Sequence, residues 1–335
     1  MQDQYLTEIQ TTLSGVPDRT LREELFTDAG ALVSARSEPL PSGRGRKAVY
    51  PVFPGVTLIF QDYLAEQAVC RHCAEPGQLE ISYCRHGRIG WDMQNGCSIY
   101  LGPSDFAVHT RALCAGSVMA MPAGAFEGLT VCIDVAAFDG ALPPLLSGTG
   151  VCGSALAERL CRDESFTALA GNERTNVIFS GFFDRPAALK RPYFAIKTLE
   201  LLLCLAQLPL PAGQGAVGLQ SGQIAIVRRI HKELSEQLDH RFTIEELAKQ
   251  YAINPTTLKA VFKAVYGNSI AAHMKEHRME RAAALLITTD TSVSQIARQV
   301  GYESPSRFST AFRETYQLLP LEYRKKHAAR ENGAD

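Results

Sequence analysis

The sequence lacks long apolar runs. The apolar stretches in its 335 residues are far shorter than the ~20 residues that cross a bilayer. It does not open with a basic segment followed by an apolar one, which is the pattern of a secretory signal. Its nine cysteines are odd in number and have no regular spacing, so they indicate reduced thiols rather than a disulfide framework. We therefore expect a cytoplasmic protein with no membrane partner.

Residues 1 to 222 also lack the patterns of common catalytic sites. They contain no Ser/His/Asp arrangement, no phosphate-binding glycine-rich loop and no dense cluster of carboxylates. A metal site needs converging ligands, but no His-x-His pair accompanies Glu80, and the candidate histidines are His72, His86 and His109. We expect no enzyme activity, no cofactor and no metal.

A closely spaced cysteine pair, Cys70 and Cys73, is a second candidate site. With His72 between them, the two thiols could bind zinc or sense redox state, yet no second pair with ligand spacing is present. Two reduced structural thiols are the alternative. The sequence leaves both interpretations open.

The net charge is close to zero, at -1, but its distribution is uneven. Residues 223–327 contain 16 Lys and Arg against 11 Asp and Glu, a net charge of +5. Residues 1–222 contain 17 against 22, a net charge of -5. A basic surplus confined to one part of the chain favours phosphate contacts there and predicts a salt-dependent affinity for nucleic acid.

Two segments near the C-terminus, 243–267 and 292–317, repeat one pattern. Each begins with a Thr or Ser followed three residues later by Glu or Gln, which is a capping-box signal for a helix start. A small residue, Ala248 or Ala297, then permits a close crossing by a second helix. This is the pattern of a helix-turn-helix DNA-binding unit. The second helices have apolar stripes at helical spacing: Leu258, Val261, Phe262 and Val265 in the first unit, and Phe308, Ala311, Phe312 and Thr315 in the second.

The opposite faces of these second helices carry the residues expected to contact DNA. Small and hydroxyl side chains permit close approach to base edges, whereas basic side chains at the periphery more often meet phosphates; ordinary solvation is the alternative for any single Lys or Arg. The predicted base readers are Thr256, Lys259, Ala260, Ser306, Ser309 and Thr310, and the predicted phosphate contacts are Lys263, Arg307 and Arg313.

Residues 270–288, between the two units, predict a rigid helix. Met279, Ala282, Ala283 and Leu286 form an apolar stripe at helical spacing. Such a helix is about 27 Å long at ~1.5 Å per residue, whereas successive major grooves on one face of B-DNA lie roughly 34 Å apart. The chain must therefore bend the duplex or leave one unit partly disengaged.

Residues 223–326 closely resemble the DNA-binding domain of AraC/XylS-type bacterial transcription regulators. The resemblance implies a domain of seven helices, in which a long helix joins two helix-turn-helix units and the two units read adjacent major grooves. One departure is Gln317, where the family usually has the glycine that the first unit has at Gly267. The end of the second recognition helix is therefore expected to be altered or strained. The matching residues are Leu247-Ala248, Phe262-Lys263, Tyr266-Gly267, Arg278, Ala282, Leu285-Leu286, Ile296-Ala297, Gly301-Tyr302, Phe308, Phe312 and Pro320 to Arg324.

The remaining two thirds of the chain divide by composition. We predict an N-terminal segment at 1–45, a β-rich domain at 46–140, a helical segment at 150–208, an uncharged Pro- and Gly-rich linker at 209–222 and the DNA-binding domain at 223–327. Asn95-Gly96 is a strong hairpin signal. The predicted strands are 55–62, 78–86, 89–93, 97–101, 106–110, 117–122 and 128–135, and the clearest predicted helices are 172–183 and 193–207.

This order resembles the layout of ligand-responsive AraC-type regulators, which implies a cupin-like β-barrel sensor. Glu80, Gly87 and residues 101–105 carry that looser match. Residues 79–93 and 98–106 are similar to regulators of siderophore and iron uptake, the group of the pyochelin regulator. Tyr83, Trp91 and Tyr100 are expected to line the effector pocket, although aromatic residues on strands are more often core residues.

The predicted fold class is therefore multi-domain: a β-rich cupin-like barrel with following helices, then an all-α domain with two helix-turn-helix units. We expect a transcriptional activator that binds double-stranded DNA, a small effector, RNA polymerase and a second copy of itself. The Leu199, Leu202, Leu203 and Ala206 stripe could form that dimer or pack on the barrel. The alternatives are a cupin-type or thiol/metal sensor or enzyme fused to a DNA-binding module, and a constitutive DNA-binding regulator.

Overall fold

The computed structural model describes residues 2–27, 30–70, 74–162, 166–209 and 219–331. His72 and Cys73 lie outside these residues, as does most of the predicted linker. The chain divides into two compact units, Met1–Ser221 and Gly222–Asp335. No helix among the described residues combines the length and apolar character that a membrane crossing needs.

Two β-sheets form the framework of the N-terminal unit. The eight-stranded sheet has the order β12-β9-β6-β11-β4-β3-β1-β2, and the five-stranded sheet has the order β13-β8-β7-β10-β5. The described strands thus form two open sheets and not one closed barrel. The strands are β1 (Thr20–Phe26), β2 (Leu32–Pro39), β3 (Arg44–Phe53), β4 (Val56–Leu64), β5 (Gln67–Val69), β6 (Gln78–Gly87), β7 (Ile89–Asp92), β8 (Cys97–Leu101), β9 (Phe106–Thr110), β10 (Val118–Ala120), β11 (Phe126–Asp134), β12 (Thr167–Leu169) and β13 (Leu219–Gln220).

All seven strands predicted from the sequence are present, with ends that differ by a few residues. Residues 1–45 contribute more than a leading segment, because they contain a helix and the strands β1 and β2 of the large sheet. β1 pairs in parallel with β3. β1 lacks the apolar alternation that predicts a strand, because several of its residues are charged. Glu24 lies 2.9 Å from Arg22 and 2.7 Å from Arg46 of β3.

Alternation along the strands gives the large sheet two different faces. In β6, Leu79, Ile81 and Tyr83 belong to a core that also contains Leu202 and Phe179 of the following helices. The intervening residues of the strand face the second sheet. The helices of this unit are α1 (Gln2–Thr12), α2 (Arg111–Cys114), α3 (Val135–Gly140), α4 (Gly153–Leu160), α5 (Glu173–Ser180) and α6 (Lys190–Gln207), with short 3-10 turns at Pro144–Leu146 and Ala187–Leu189.

The leucine stripe of α6 packs on the large sheet. Leu202 is fully buried in the core shared with the strands, and the other three members of the stripe pack against it. The stripe was expected either to form a dimer or to pack on the barrel, and the structure shows it packed on the sheet. The exposed apolar residues of α6 are different ones, chiefly Ile196, which is 62% exposed.

The C-terminal unit is entirely α-helical over its described residues and has seven helices, as the resemblance implied. The stripe of the central helix is buried as predicted, from Met279 to Leu286. The helices are α7 (Ser221–Glu236), α8 (Ile244–Gln250), α9 (Pro255–Tyr266), α10 (Ile270–Thr288), α11 (Val293–Gln299), α12 (Pro305–Tyr316) and α13 (Pro320–Glu331).

The second recognition helix ends on a residue in the left-handed conformation. Gln317 has a φ of 57°, and its N–H donates to the carbonyl of Arg313 at 2.9 Å. Gly267 holds the equivalent position in the first unit, with a φ of 86°. A side chain in this conformation costs about 1 kcal/mol relative to glycine. The two units therefore end their recognition helices in the same way, but the second does so under strain.

Candidate nucleic-acid interface and N-terminal cavity

Each helix-turn-helix unit starts with a formed capping box. The N–H of Glu246 donates to the hydroxyl of Thr243 at 3.2 Å, and the N–H of Thr243 donates to the Glu246 carboxylate at 2.8 Å. Ser292 and Gln295 make the same reciprocal pair at the start of α11. These bonds satisfy N–H groups that a helix start leaves without partners. The predicted starts of α8 and α11 are confirmed.

Small buried residues allow α9 and α12 to cross the preceding helices closely. Ala248 of α8 is 5% exposed and Ala297 of α11 is fully buried. The stripes that face them are buried as predicted, with one exception. Thr315 was predicted to be part of the second stripe, but it is exposed, and its hydroxyl donates to the carbonyl of Ala311 at 3.0 Å. Because this bond gives the hydroxyl a partner within its own helix, Thr315 can remain exposed.

The predicted DNA-contact residues lie on the outward faces of α9 and α12. Eight of the nine are exposed and Ser309 is half-buried. Thr310 donates its hydroxyl to the carbonyl of Ser306 at 3.1 Å, which leaves its oxygen lone pairs outward. Within the described residues, Lys263, Arg307 and Arg313 make no ion pair, so their charges are open to phosphates. Their contact with DNA stays a prediction.

Two arginines for which the sequence predicts no role hold the loops that precede α8 and α11. Arg278 of α10 donates to the carbonyls of Leu238 and His240 at 2.9 and 3.0 Å. Arg324 of α13 donates to the carbonyls of Leu286 and Thr291 at 3.0 and 2.6 Å. A charged donor on two carbonyls fixes the loop that precedes α8 or α11. The sequence carries no local signal for these contacts, because each one joins residues 33 to 40 positions apart.

The N-terminal unit contains a cavity of about 210 Å³ between its two sheets. The large sheet contributes Gln61, Glu80 and Thr130, and the small sheet contributes Trp91 and Met119. The amide of Gln61 donates to the hydroxyl of Thr130 at 2.7 Å. The cavity is therefore polar on one wall and apolar on the other, as small-molecule sites are.

Glu80 is the buried centre of the polar wall. Its carboxylate lies 3.6 Å from Arg111 and 4.0 Å from His109, and it accepts a hydrogen bond from the thiol of Cys114 at 3.7 Å. A hydrogen bond from Cys114 lowers the pKa of the Cys70 thiol. Glu80, His109 and Cys114 could together hold a cation, because one ligand atom of each lies within 4.8 Å of the others.

The three aromatic residues predicted for an effector pocket do not come together. Trp91 lines the cavity. Tyr83 lies on the other face of its strand, stacked on Phe179 at 4.2 Å, because it is one residue out of phase with the cavity-facing positions of β6. Tyr100 of β8 packs beside Gly90 and is not among the lining residues. His86, one of the candidate metal ligands, has its Nδ1 2.8 Å from the carboxylate of Glu127.

Comparison with known proteins covers mainly the C-terminal unit. A family model described as a helix-turn-helix domain matches residues 247–326. The chain is 31% identical over 104 residues to the HTH-type transcriptional regulator AlkR of Acinetobacter baylyi, covering 29% of this chain and 34% of that protein. It is 28% identical over 103 residues to the HTH-type transcriptional activator RhaR of Mannheimia succiniciproducens, covering 31% and 37%.

A solved structure of the DNA-binding domain of AdpA, in complex with a target DNA, is 27% identical and covers 31% of this chain and 94% of that chain, with a TM-score of 0.30. The chain spans about a third of the length of the two curated relatives named above. The matched family model covers most of both capped repeat units. The C-terminal unit of this chain therefore contains a helix-turn-helix DNA-binding domain, similar to those of AraC/XylS-type transcription regulators.

Proposed function

We propose that this chain is a sequence-specific DNA-binding transcription regulator whose activity is modulated by a small effector in the N-terminal unit. One observation carries the DNA-binding part: two capped helix-turn-helix units each present an outward face of small, hydroxyl and basic side chains. Such a face fits a major groove, where short side chains reach base edges. The basic surplus of residues 223–327 supports the same conclusion.

Lys259→Ala is expected to weaken binding to the cognate site by about 1 to 3 kcal/mol, because an exposed lysine on α9 would lose a base contact. The site is first defined by footprinting the bound regions of the genome, and affinities are then measured on cognate and scrambled duplexes at one salt concentration. Lys232→Ala on α7, where the side chain is 77% exposed, is the control and should change neither affinity. Equal losses on both duplexes would show that Lys259 contacts phosphate and does not read a base.

The cavity between the sheets supports the effector part of the proposal. It combines an apolar wall at Trp91 and Met119 with buried polar groups at Glu80 and Gln61. Buried polar groups fix the orientation of a small ligand, and the apolar wall supplies contact area. At about 210 Å³ the cavity is smaller than the roughly 300–1,000 Å³ pockets of drug-sized ligands. The size of the cavity therefore favours a small polar effector over a whole siderophore. The siderophore stays a prediction.

Ligand binding in the cavity is expected to change the fluorescence of Trp91, which is the one tryptophan of the chain. The chain is titrated with a panel of small polar metabolites and iron chelators, and each active compound is retested for its effect on affinity for the cognate DNA. Glu80→Gln should weaken the response, whereas Glu66→Gln at an exposed position should not. A panel that changes neither emission nor DNA affinity would favour a constitutive regulator.

The proposal also includes a homodimer and contact with RNA polymerase. Two copies would double the length of DNA that is read, and longer sites are more specific. The exposed apolar residues on the outer side of α5 and α6, Val177 and Ile196, are 60% and 62% exposed and are the residues in this segment best suited to a partner copy.

A further inference from the structure

Three histidines of the C-terminal unit converge where α7 meets α10. His231 lies on α7, and His273 and His277 lie four residues apart on one face of α10. One ring nitrogen of each lies within 4.8 Å of the others, and the Nε2 atoms of His273 and His277 are 3.0 Å apart. None of these residues belongs to the outward faces of α9 and α12, so the proposed DNA contacts do not account for them.

The hydrogen bonding of this cluster is incomplete. The Nε2 of His231 is buried and has no hydrogen-bond partner among the described residues. His273 and His277 point Nε2 atoms at each other, and such a pair can share only one proton. Buried polar atoms are usually satisfied, so an unpaired ring nitrogen on a histidine beside two other histidines points to a ligand.

We propose that His231, His273 and His277 bind a divalent transition-metal ion, with Zn²⁺ the best match. A tetrahedral ion with Zn–N bonds of 2.0–2.1 Å places its nitrogens about 3.3 Å apart. The observed spacing needs only small side-chain movements to reach that value. Two histidines at i and i+4 of a helix are also the spacing by which helices bind zinc. Imidazole ligands suit Zn²⁺, Cu²⁺ and Ni²⁺, and three of them leave one position for water.

The surroundings of the cluster fit this role. The Nδ1 of His277 lies 3.9 Å from the carboxylate of Glu280, and metal-binding histidines commonly direct the second ring nitrogen toward a carboxylate. Burial lowers the pKa of His231 to about 4 and that of His273 to about 3, with the charge of His277 acting in the same direction. Both rings are therefore neutral at pH 7, which is the form that binds a metal.

A bound ion would join the first helix of the unit to its central helix. His231 stacks on Tyr266 at a ring distance of 4.2 Å, and Tyr266 is the last residue of the recognition helix α9. The ion would thus stabilise the packing beneath the first helix-turn-helix unit. Metal binding can be measured without DNA, so the proposal does not depend on the proposed regulatory function.

The test is a Co²⁺ titration of the full chain, purified without a histidine tag and freed of metal by chelation. We expect one Co²⁺ per chain, with the visible absorption of a four-coordinate ion and without a thiolate-to-cobalt charge-transfer band. Zn²⁺ should displace the Co²⁺ and raise the unfolding temperature of the chain. A chain that binds no Co²⁺ or Zn²⁺ at micromolar concentrations would overturn the proposal.

Variants locate the ion. His277→Gln, a half-exposed ligand, should weaken Co²⁺ binding by more than about 100-fold, and Glu280→Gln, at an exposed side chain, by about 10- to 100-fold. His240→Gln, a histidine of the same unit outside the cluster, is the control and should bind normally. Circular dichroism checks that each variant is folded. Unchanged affinity in both test variants would place the ion elsewhere and overturn the proposal.

Discussion

Ala297→Glu is expected to unfold the second helix-turn-helix unit. Ala297 has no exposed surface at the crossing of α11 and α12, where its neighbours Phe308 and Phe312 are also fully buried. A glutamate there would have to bury a carboxylate without a partner and would also overfill a close crossing. A buried, unpaired charge costs about 3 to 5 kcal/mol, and overpacking adds about 1 to 3. The total approaches the stability of a small domain.

Calorimetry of the full chain checks this result, because the two compact units can give separate transitions. The transition of the C-terminal unit should disappear or move to a much lower temperature, and DNA binding should be lost with it. Gln299→Glu introduces the same side chain two residues away at an exposed position and should leave both intact. If Ala297→Glu unfolds like the parent chain, the assigned crossing of α11 and α12 is incorrect.

Replacing Lys263, Arg307 and Arg313 together by alanine is expected to weaken DNA binding about 500-fold at ~0.1 M salt. Each phosphate contact releases counterions from the duplex and contributes a slope of about -0.9 to the dependence of log K on log salt concentration. Three lost contacts therefore remove a factor of roughly 10^2.7 at that concentration. All three residues are exposed and lie on the recognition helices, so the unit should remain folded.

Binding is measured across a range of salt concentrations on cognate and scrambled duplexes. The salt dependence of the triple variant should be shallower by about 2.7, and the loss should be similar on both duplexes because phosphates carry no sequence information. The matched control replaces Arg36, Arg174 and Arg191, three exposed arginines of the N-terminal unit, and changes the net charge equally. An equal loss in that control would attribute the effect to overall charge and not to local contacts.

The C-terminal unit was predictable because its signals are local. A capping box needs two residues three positions apart, and a buried stripe needs a periodicity within one helix, so Thr243, Ser292 and the α10 stripe could be read directly. Thr315 was misplaced because a hydroxyl can satisfy itself on its own helix and remain exposed. The pairs made by Arg278 and Arg324 span about 40 residues, a distance at which a single sequence gives no signal.

In the N-terminal unit the strands could be predicted, but the way the sheets face each other could not. Apolar alternation located β6, yet both of its faces are buried, so alternation did not show which residues face the cavity. Glu80 and Tyr83 are three residues apart in β6 and therefore lie on opposite faces of it, one at the cavity and the other in the core under the helices. β1 was missed because charged residues replace the apolar ones that usually mark a strand, and Glu24 pairs with Arg22 of β1 and Arg46 of β3.

The central helix has a consequence for the DNA that the two units read. The 19 residues of α10 span about 27 Å, which is shorter than the roughly 34 Å that separates successive major grooves on one side of a straight duplex. Engaging both grooves then requires curvature between them, and curvature is easiest at pyrimidine–purine steps such as TA. Base pairs at the middle of the operator that no side chain touches would accordingly influence affinity through the stiffness of the duplex.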